Sequence, residues 1–286
     1  MRFTLIFFIS LLFFLDSFSQ SYLSKLSSAG TEEEWFPSNL NVQPFTANFL
    51  EPKAGFSYLL GRREIRLDIG TSADIYRLTK DNSHLSFGAD LFTYTRLRGE
   101  SEFHFPVEAI DYLFGINGSY KIVNEENEYG IRVRLSHISA HFADGHYDSR
   151  LGVWQDGRNP KTYSREFIEL FPYYKIKNLR GYIGFTYLVH VTPKRLGKDI
   201  YQFGFDYFAP SLISQFITRF VAYDFKLAHI INSYSGSNIF SAGIKFGRYN
   251  SKGFSILLSY YSGKSVHGEY FDVSENYTSF GFNVDL

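Results

Sequence analysis

The residues best suited to chemistry in this chain are a histidine and a serine two positions apart, His137 and Ser139. A serine hydroxyl becomes an effective nucleophile when a neighbouring base removes its proton, and histidine is the most common base. If this segment is a β-strand, the two side chains lie on one face, with their backbones about 7 Å apart. Side chains at that spacing can meet. The pair therefore predicts a serine nucleophile with a histidine base, which could cleave an acyl ester.

A carboxylate that could orient this histidine is Glu166, which follows the next long connection. A catalytic imidazole needs a third group that holds its ring and stabilises its charged form. If Ile168 and Leu170 face outward, Glu166 faces outward too, on the strand beside the histidine. The sequence thus predicts Ser139 as nucleophile, His137 as base and Glu166 as the orienting residue.

The segment just after the histidine–serine pair contains Asp144, His146 and Asp148. Carboxylates on a loop beside a lipid surface could bind Ca²⁺, which prefers oxygen ligands. Asp144 and Asp148 are therefore candidate calcium ligands. The alternative interpretation is an ordinary solvated loop.

Most of the chain after residue 53 alternates between apolar and polar residues with a period of two, which is typical of β-strands. The stretches 65–73, 221–228 and 240–247 show this most clearly. On each of them one face is apolar and the other carries charges or glycine. In a soluble sandwich the apolar face would point inward, whereas in a membrane barrel it points outward to lipid.

The N-terminal segment, residues 1–19, has the pattern of a signal peptide. Arg2 supplies the positive start, an apolar run rich in Phe and Leu follows, and Ser17 and Ser19 provide small side chains for cleavage near Ser19. The apolar run is short for a membrane anchor, which is the alternative. Export to the envelope of a Gram-negative bacterium favours the membrane barrel. Residues 20–53 lack clean alternation and are predicted to form a periplasmic N-terminal leader.

The composition also favours a membrane barrel. Aromatic residues make up 19% of the chain, with 31 Phe and 22 Tyr, and barrels place such residues at both membrane interfaces. The mean hydropathy is −0.17, and no run of about 18 apolar residues follows the signal peptide, so a helical membrane protein is excluded. The absence of cysteine fits an oxidising periplasm. With 29 basic and 29 acidic residues, nothing indicates nucleic-acid binding.

The alternating segments predict an all-β fold, a transmembrane antiparallel β-barrel of about 12 strands formed by residues 54–286 in the outer membrane. The predicted strands are 55–61, 63–77, 83–97, 107–123, 127–142, 164–176, 179–191, 199–209, 216–230, 237–248, 253–262 and 276–286. With both termini in the periplasm, the long connections near 143–163 and 263–275 lie outside the cell. Among the outer connections, only the turn at Gly61–Arg62 is expected to be short.

The polar faces of these strands are predicted to point into the barrel, which side chains can largely fill at this size. They carry Arg66, Asp68, Asp74, Asp90, Asp111, Arg132, Arg134, Asp206, Asp224, Lys226 and Lys245. Both signs of charge are interleaved. The sequence therefore predicts an internal salt-bridge network and not a wide pore.

The same geometry places the histidine–serine pair at a membrane boundary. Apolar residues precede it on the lipid face of the strand 127–142, namely Tyr129, Ile131, Val133 and Leu135. A tilted strand climbs roughly 2.5 Å per residue, so Ser139 lies about 25 Å above Tyr129, which is the height of the apolar belt. A polar pair at the outer lipid boundary does little for stability, which favours a function on lipid.

The C-terminal strand resembles the assembly signal of bacterial outer-membrane barrels. That signal has a polar residue, a glycine two positions on, and apolar residues at the third-last and last positions, which are here Ser279, Gly281, Val284 and Leu286. The family usually ends in Phe, so the terminal Leu is a departure. The resemblance implies that the outer-membrane assembly machinery is a partner.

His137-x-Ser139 on a barrel exterior resembles the pair used by outer-membrane phospholipase A and by outer-membrane lipid A deacylases. In both, a third residue (Asn or Glu) on the neighbouring strand orients the histidine, and Glu166 matches that place. The serine–arginine pair at 164–165 resembles one in phospholipase A, whereas Ala-His at 140–141 stands where that family has Asn-Gly. The resemblance implies hydrolysis of membrane lipids, either phospholipid or lipid A, and a use for Ca²⁺.

A second resemblance extends from about residue 43 to the C-terminus. Its pattern is Arg134-x-x-His137-x-Ser139-x-His141-x-x-Asp144, then Tyr163-Ser164-Arg165-Glu166, with Gln43-Pro44 and Glu51-Pro52 before the first strand. This pattern is similar to that of an uncharacterised bacterial barrel family. It implies the barrel fold and no particular activity.

Two non-enzymatic alternatives remain open. In a structural or adhesive barrel, the outer loops would bind a partner, and His137 and His141 would hydrogen-bond lipid headgroups at the interface. In a narrow transport channel, the charged lumen would conduct ions.

Overall fold

The computed structural model describes residues 30–194, 196–210 and 216–285, and it consists almost entirely of β-strands. The predicted signal peptide with its cleavage point near Ser19, the first part of the predicted leader, and Leu286 lie outside the described residues.

Fifteen strands form in the described residues. Twelve of them lie where alternation and turn residues predict strands, and three are additional. In chain order they are β1 (Thr31–Trp35), β2 (Ala54–Leu59), β3 (Glu64–Lys80), β4 (Ser83–Arg98), β5 (Val107–Asn124), β6 (Asn127–Phe142), β7 (Tyr147–Asp148), β8 (Val153–Trp154), β9 (Tyr163–Ile176), β10 (Leu179–Thr192), β11 (Leu196–Pro210), β12 (Ile217–Ile230), β13 (Ser233–Phe246), β14 (Gly253–Lys264) and β15 (Ser274–Asp285). The additions are β1, which extends the sheet along the end of β3, and the small hairpin β7–β8.

The twelve remaining strands form a closed antiparallel barrel, which confirms the predicted fold class. Each pairs with its neighbour in chain order, and β15 pairs with β2 to close the barrel. At this seam a Cβ atom on Gly281 would lie 2.2 Å from the carbonyl oxygen of Phe56. The two backbones approach so closely that only glycine fits there.

The apolar faces of the strands point out of the barrel. On β6, Tyr129, Val133 and Leu135 are 43%, 40% and 50% exposed, whereas Arg132 and Arg134 between them are buried. Exposed apolar side chains of this kind recur around the barrel and make a surface suited to lipid. In the part of the chain that is described, no helix is long and apolar enough to cross a membrane.

The two ends of the barrel carry different connections. We call one the loop end, which has the connections 99–106, 143–162 and 265–273, and the other the turn end, which has the turns 81–82, 125–126 and 177–178. The two long connections predicted to lie outside the cell are thus at the same end.

Two connections at the loop end are shorter than the sequence predicted. β11 begins at Leu196 instead of 199, and β13 begins at Ser233 instead of 237. The expectation that only the first outer turn is short was therefore wrong. Backbone pairing continues past the alternating residues, since Ser233 pairs with Ile230 directly across a two-residue turn.

The lumen contains buried ion pairs, as the interleaved charges predicted. Arg134 on β6 faces Glu169 on β9, and both side chains are 1% exposed. Arg180 on β10 donates from Nε to Asp206 on β11 over 2.9 Å. Such pairs satisfy charges that would be very costly to bury alone.

The later part of the segment predicted as a periplasmic leader lies inside the barrel. Residues 41–51 include a series of buried side chains. Phe45 packs between aromatic rings of the lumen, Glu51 pairs with Arg132, and the backbone nitrogen of Thr46 donates to Asp206 over 3.0 Å. We call residues 41–51 the plug. The sequence prediction missed it because a segment that fills a lumen shows no period-two alternation, since each of its side chains contacts a particular residue of the barrel wall.

The loop end is covered by the connection 265–273. Its short 3₁₀ helix, Gly268–Tyr270, is buried. Asp111 on β5 accepts a 2.7 Å hydrogen bond from the backbone nitrogen of Gly268, and its other oxygen is 2.8 Å from His267 Nδ1. Burial raises the pKa of Glu269 in the same helix. The connection is therefore fastened into the barrel and is not a free external loop.

Removing one partner of the Arg134–Glu169 pair should destabilise the barrel. Glu169→Ala leaves a buried guanidinium unpaired, which costs about 3–5 kcal/mol of unfolding free energy. Arg134→Met combined with Glu169→Leu removes both charges and should recover most of that loss. Urea unfolding in lipid vesicles, with heat-modifiable gel migration as the folding check, measures both. Wild-type stability of the single variant would contradict the structural role of the pair.

Candidate active site

Strand β6 presents His137 and Ser139 on the outside of the barrel, near the loop end. Alternation turns Ser136, Ile138 and Ala140 inward, where all three are buried. The His137 side chain is 27% exposed. In the structure, therefore, His137 and Ser139 both face outward, as predicted.

Strand β9 places Glu166 beside the histidine. His137 lies opposite Glu166, and Ser139 lies opposite Ser164. Glu166 Oε1 is 2.7 Å from His137 Nδ1 and accepts a 3.1 Å hydrogen bond from Ser164 Oγ. A carboxylate only accepts hydrogen bonds, so Nδ1 of His137 carries a proton and Nε2 is the basic nitrogen of the neutral ring.

A β-bulge in β10 adds a second histidine. The register between β9 and β10 shifts between Leu188 and His190, which puts His190 opposite Glu166. Its Nδ1 is 2.7 Å from Glu166 Oε2. Regular alternation would turn His190 into the lumen, but the extra residue Val189 turns it outward. Val189 is 51% exposed and the His190 side chain 68% exposed.

These side chains form one group, which we call the exterior cluster: His137, Ser139, Ser164, Glu166 and His190. The Glu166 carboxylate is its centre, because two imidazoles and one hydroxyl bond to its two oxygens. In the described residues, no hydrogen bond joins Ser139 Oγ to the His137 ring. Nucleophile–base contacts are often long before substrate binds, and the two side chains share a face two residues apart.

The exterior cluster lies at the edge of the apolar surface. The next residues toward the turn end are Leu135, Ile168 and Tyr187, which pair across the same three strands and are 50%, 44% and 44% exposed. The Phe114 ring packs on the His137 ring with 4.8 Å between centroids. A lipid whose chains lie along the apolar surface would bring its ester groups to this cluster.

The predicted calcium ligands lie in the connection 143–162 at the loop end. Asp144 lies in a short 3₁₀ helix, and Asp148 Oδ1 accepts backbone hydrogen bonds from Arg150 and Leu151 at 3.0 and 3.1 Å. His146 is buried, and burial lowers its pKa. Across residues 30–285 as far as they are described, no group of three or more His, Cys, Asp or Glu side chains is arranged to hold a metal ion. The segment folds as a turn around Asp148, whose Oδ1 atom is occupied by these backbone hydrogen bonds.

The sequence interpretation missed His190. It lies in Tyr187-Leu188-Val189-His190, where strict alternation from Leu188 assigns the histidine to the lumen. The one available signal was a histidine at a strand end near the loop end. A bulge cannot be derived from alternation, because it is the break in that alternation.

The chain belongs to a known family. That family is described as "Protein of unknown function (DUF1207)", and its match covers residues 78–285. The match includes every member of the exterior cluster and brings no activity with it. In a separate comparison by sequence, no curated protein matches this chain.

Solved structures show what the fold is similar to. Outer membrane phospholipase A from Escherichia coli matches with a TM-score of 0.51 and 13% identity, over 86% of this chain and 94% of that one. An active-site mutant of the same enzyme matches with a TM-score of 0.53, 13% identity and the same coverage. LpxR from Salmonella typhimurium has a TM-score of 0.37 and 9% identity, over 81% and 98%. The first two show that this barrel has an outer-membrane barrel fold, and the third is too distant to support an argument.

Single cysteine substitutions test the bulge, because the natural chain has no cysteine. Val189→Cys and His190→Cys should both react rapidly with N-ethylmaleimide in nonionic detergent, since both positions face outward. Leu188→Cys and Val191→Cys should be protected, because those positions are 2% and 9% exposed. Mass spectrometry of the folded protein measures the labelling. Protection at 190 with reaction at 189 would mean that the strand alternates regularly.

Proposed function

We propose that this protein is an acyl-ester hydrolase that acts on membrane lipids at the outer surface of its barrel. Ser139 is the nucleophile, His137 is the base and Glu166 orients the base. The observation that carries the proposal is the 2.7 Å contact between Glu166 and His137 Nδ1, made by residues from two strands on the lipid-facing side.

This contact supports catalysis for three reasons. It fixes the tautomer, so that Nε2 is free to accept a proton. It places a negative charge where the imidazolium would form. It also occupies a position at the edge of the lipid-facing surface, where the carboxylate is 38% exposed and contributes little to folding. A cluster with these properties suits chemistry better than stability.

In the proposed reaction, Ser139 Oγ attacks the ester carbonyl carbon while Nε2 of His137 takes its proton. The tetrahedral intermediate expels the alcohol, which leaves with that proton, and the acyl group stays on the serine. Water then attacks the acyl-serine while Nε2 of His137 takes its proton. The fatty acid is released, and His137 returns the proton to Ser139 Oγ. Glu166 accepts a hydrogen bond from the His137 ring in both its neutral and its protonated form, and the carboxylate itself is not protonated.

His190 is proposed as a positioning residue. It holds the second oxygen of Glu166, so that the first oxygen stays directed at His137. Ser164, bonded to that first oxygen, limits its rotation further. The wild-type carboxylate is thus fixed from three sides.

The lumen favours an enzyme over the channel alternative. Residues 41–51 occupy the barrel interior and pair with charges of its wall. Ion conduction would require this plug to move. Contacts with lipid, and with the assembly machinery through the C-terminal strand, remain predictions. In that strand Ser279 faces inward and Phe280 faces outward.

Replacing the nucleophile or the base should abolish activity. Ser139→Ala and His137→Ala are each expected to lower the release of fatty acid from phospholipid or lipid A in mixed micelles by several orders of magnitude. Ser136→Ala is the matched control, because this serine lies on the same strand but faces the lumen. All three variants should keep heat-modifiable migration on a gel. No release by the wild-type protein, with or without Ca²⁺, or full activity of Ser139→Ala, would refute the proposal.

Replacing the orienting groups should have graded effects. Glu166→Gln removes the negative charge and keeps the size of the side chain. We expect kcat to fall by about 10²- to 10⁴-fold. His190→Ala should have a smaller effect, and His190→Asn should restore part of the loss because its amide can donate to the same oxygen.

The control for His190 is His141→Ala, since His141 is exposed on β6 and has no hydrogen bond or ion pair to Glu166 in the described residues. Steady-state kinetics give kcat and KM separately. A loss in His141→Ala as large as in His190→Ala would mean that the second histidine does not act through the carboxylate.

A further inference from the structure

Two hydroxyl side chains flank Ser139 on the outside of the barrel. Tyr112 on β5 is its direct cross-strand partner on one side, and Ser164 on β9 is its partner on the other. Directly opposed residues have their Cβ atoms about 4.5–5.5 Å apart. Tyr112 is exposed, whereas Asp111 and Leu113 on either side of it are buried, so the tyrosine ring shares the outward face of the proposed nucleophile.

The backbone around Ser139 is already used by the sheet. From residue 137 to residue 140, β6 pairs with β5 along one edge and with β9 along the other. A strand that is paired on both edges uses its N–H groups in the ladders. Attack on an ester puts a negative charge on the carbonyl oxygen, and donors directed at this oxygen usually make the largest contribution to catalysis. On this strand, such donors must therefore be side chains.

Of the two flanking hydroxyls, only the phenol of Tyr112 is free to donate. Ser164 Oγ donates to Glu166 Oε1 over 3.1 Å. Among the described residues, the Tyr112 hydroxyl has no hydrogen-bond partner. The Tyr112 ring is also 6.2 Å from the His141 ring between centroids, so it lies along residues 139–141 of β6. A phenol O–H donor is thus held beside the proposed nucleophile.

Tyr120 lies on the same face of β5 near the turn end and provides a comparison. It is exposed, as Tyr112 is, but its Oη atom donates to Ser83 Oγ over 3.3 Å. Tyrosines are enriched at both interfaces of a membrane barrel. Tyr120 is therefore an interfacial tyrosine whose hydroxyl bonds to the protein, whereas the Tyr112 hydroxyl is left for a ligand.

We propose that Tyr112 is a further catalytic residue, which donates a hydrogen bond from Oη to the carbonyl oxygen of the ester. This inference rests on the proposed function, because it assigns the oxyanion donor of the same site. When Ser139 Oγ bonds to the carbonyl carbon, the carbonyl π electrons move onto the oxygen, and the Tyr112 hydroxyl stabilises that charge while keeping its own proton. The double bond then re-forms as the alcohol leaves with the proton that His137 took.

The test compares Tyr112→Phe with the wild type on p-nitrophenyl palmitate and on its thiono analogue, in which sulfur replaces the carbonyl oxygen. The protein is the full chain in nonionic detergent. On the oxygen ester, kcat should fall about 10²- to 10³-fold in the variant with KM little changed. Sulfur accepts hydrogen bonds only weakly, so the thiono ester should be affected much less. The ratio of the two kcat values should therefore fall.

A phosphonate probe separates this inference from the proposed function. Hexadecylphosphonate carrying a p-nitrophenyl ester should react at Ser139: Oγ bonds to phosphorus, p-nitrophenolate leaves and His137 takes the serine proton. Mass spectrometry identifies the modified residue. Tyr112→Phe should modify the same serine, but more slowly, because the charged phosphoryl oxygen has lost its donor.

The matched control is Tyr120→Phe, which removes a phenol hydroxyl from the same face of the same strand. It should match the wild type in kcat, in the ratio of oxygen to thiono ester and in the rate of phosphonylation. Tyr112→Phe keeps the aromatic ring, so both variants should fold, and heat-modifiable migration checks this.

The outcomes distinguish two failures. If the wild type modifies Ser139 and Tyr112→Phe has the wild-type kcat and ratio, this inference is wrong and the proposed function stands. The inference is equally wrong if Tyr112→Phe raises only KM, which would make the tyrosine a lipid-binding residue, or if His141→Ala, and not Tyr112→Phe, loses the preference for the oxygen ester. A wild-type protein that neither hydrolyses the ester nor reacts at Ser139 would overturn both.

Discussion

The pairing of β6 with β9 is the interaction on which the rest of the structure depends. One register places Arg134 opposite Glu169 inside the barrel and His137 opposite Glu166 outside it. The inner pair is buried on both sides, so a shift of one residue would leave two charges unpaired and reverse the faces of the strand. The outer pair is partly exposed and could not fix a register by itself. The geometry of the exterior cluster is therefore held by charges on the other side of the wall.

The lumen follows the same logic of charge compensation. Wall residues pair with one another or with the plug formed by residues 41–51, as Glu51 does with Arg132. The plug also shields these pairs from water, which strengthens them.

Much of the fold could be predicted from the sequence because, in a membrane barrel, the type of a residue determines whether its side chain faces the lipid or the lumen. In lipid, every apolar side chain of a strand can face outward and every charge must face inward, so period two defines both the strand and its orientation. His137, Ser139 and Glu166 were predicted on one exterior face for this reason. The grouping of Asp144 with Asp148 lacked any such rule, since a loop has no period, and Asp148 accepts backbone hydrogen bonds of its own turn.

The sequence by itself determined the twelve strands of the barrel, their inward and outward faces, and the placement of Ser139, His137 and Glu166 on one exterior face. Only the tertiary structure decided the position of residues 41–51 inside the lumen and the bulge that brings His190 to Glu166. The physical reason is the range of the interactions involved. Alternation is a local property that each strand expresses alone, whereas a plug and a bulge are defined by partners that lie far away along the chain.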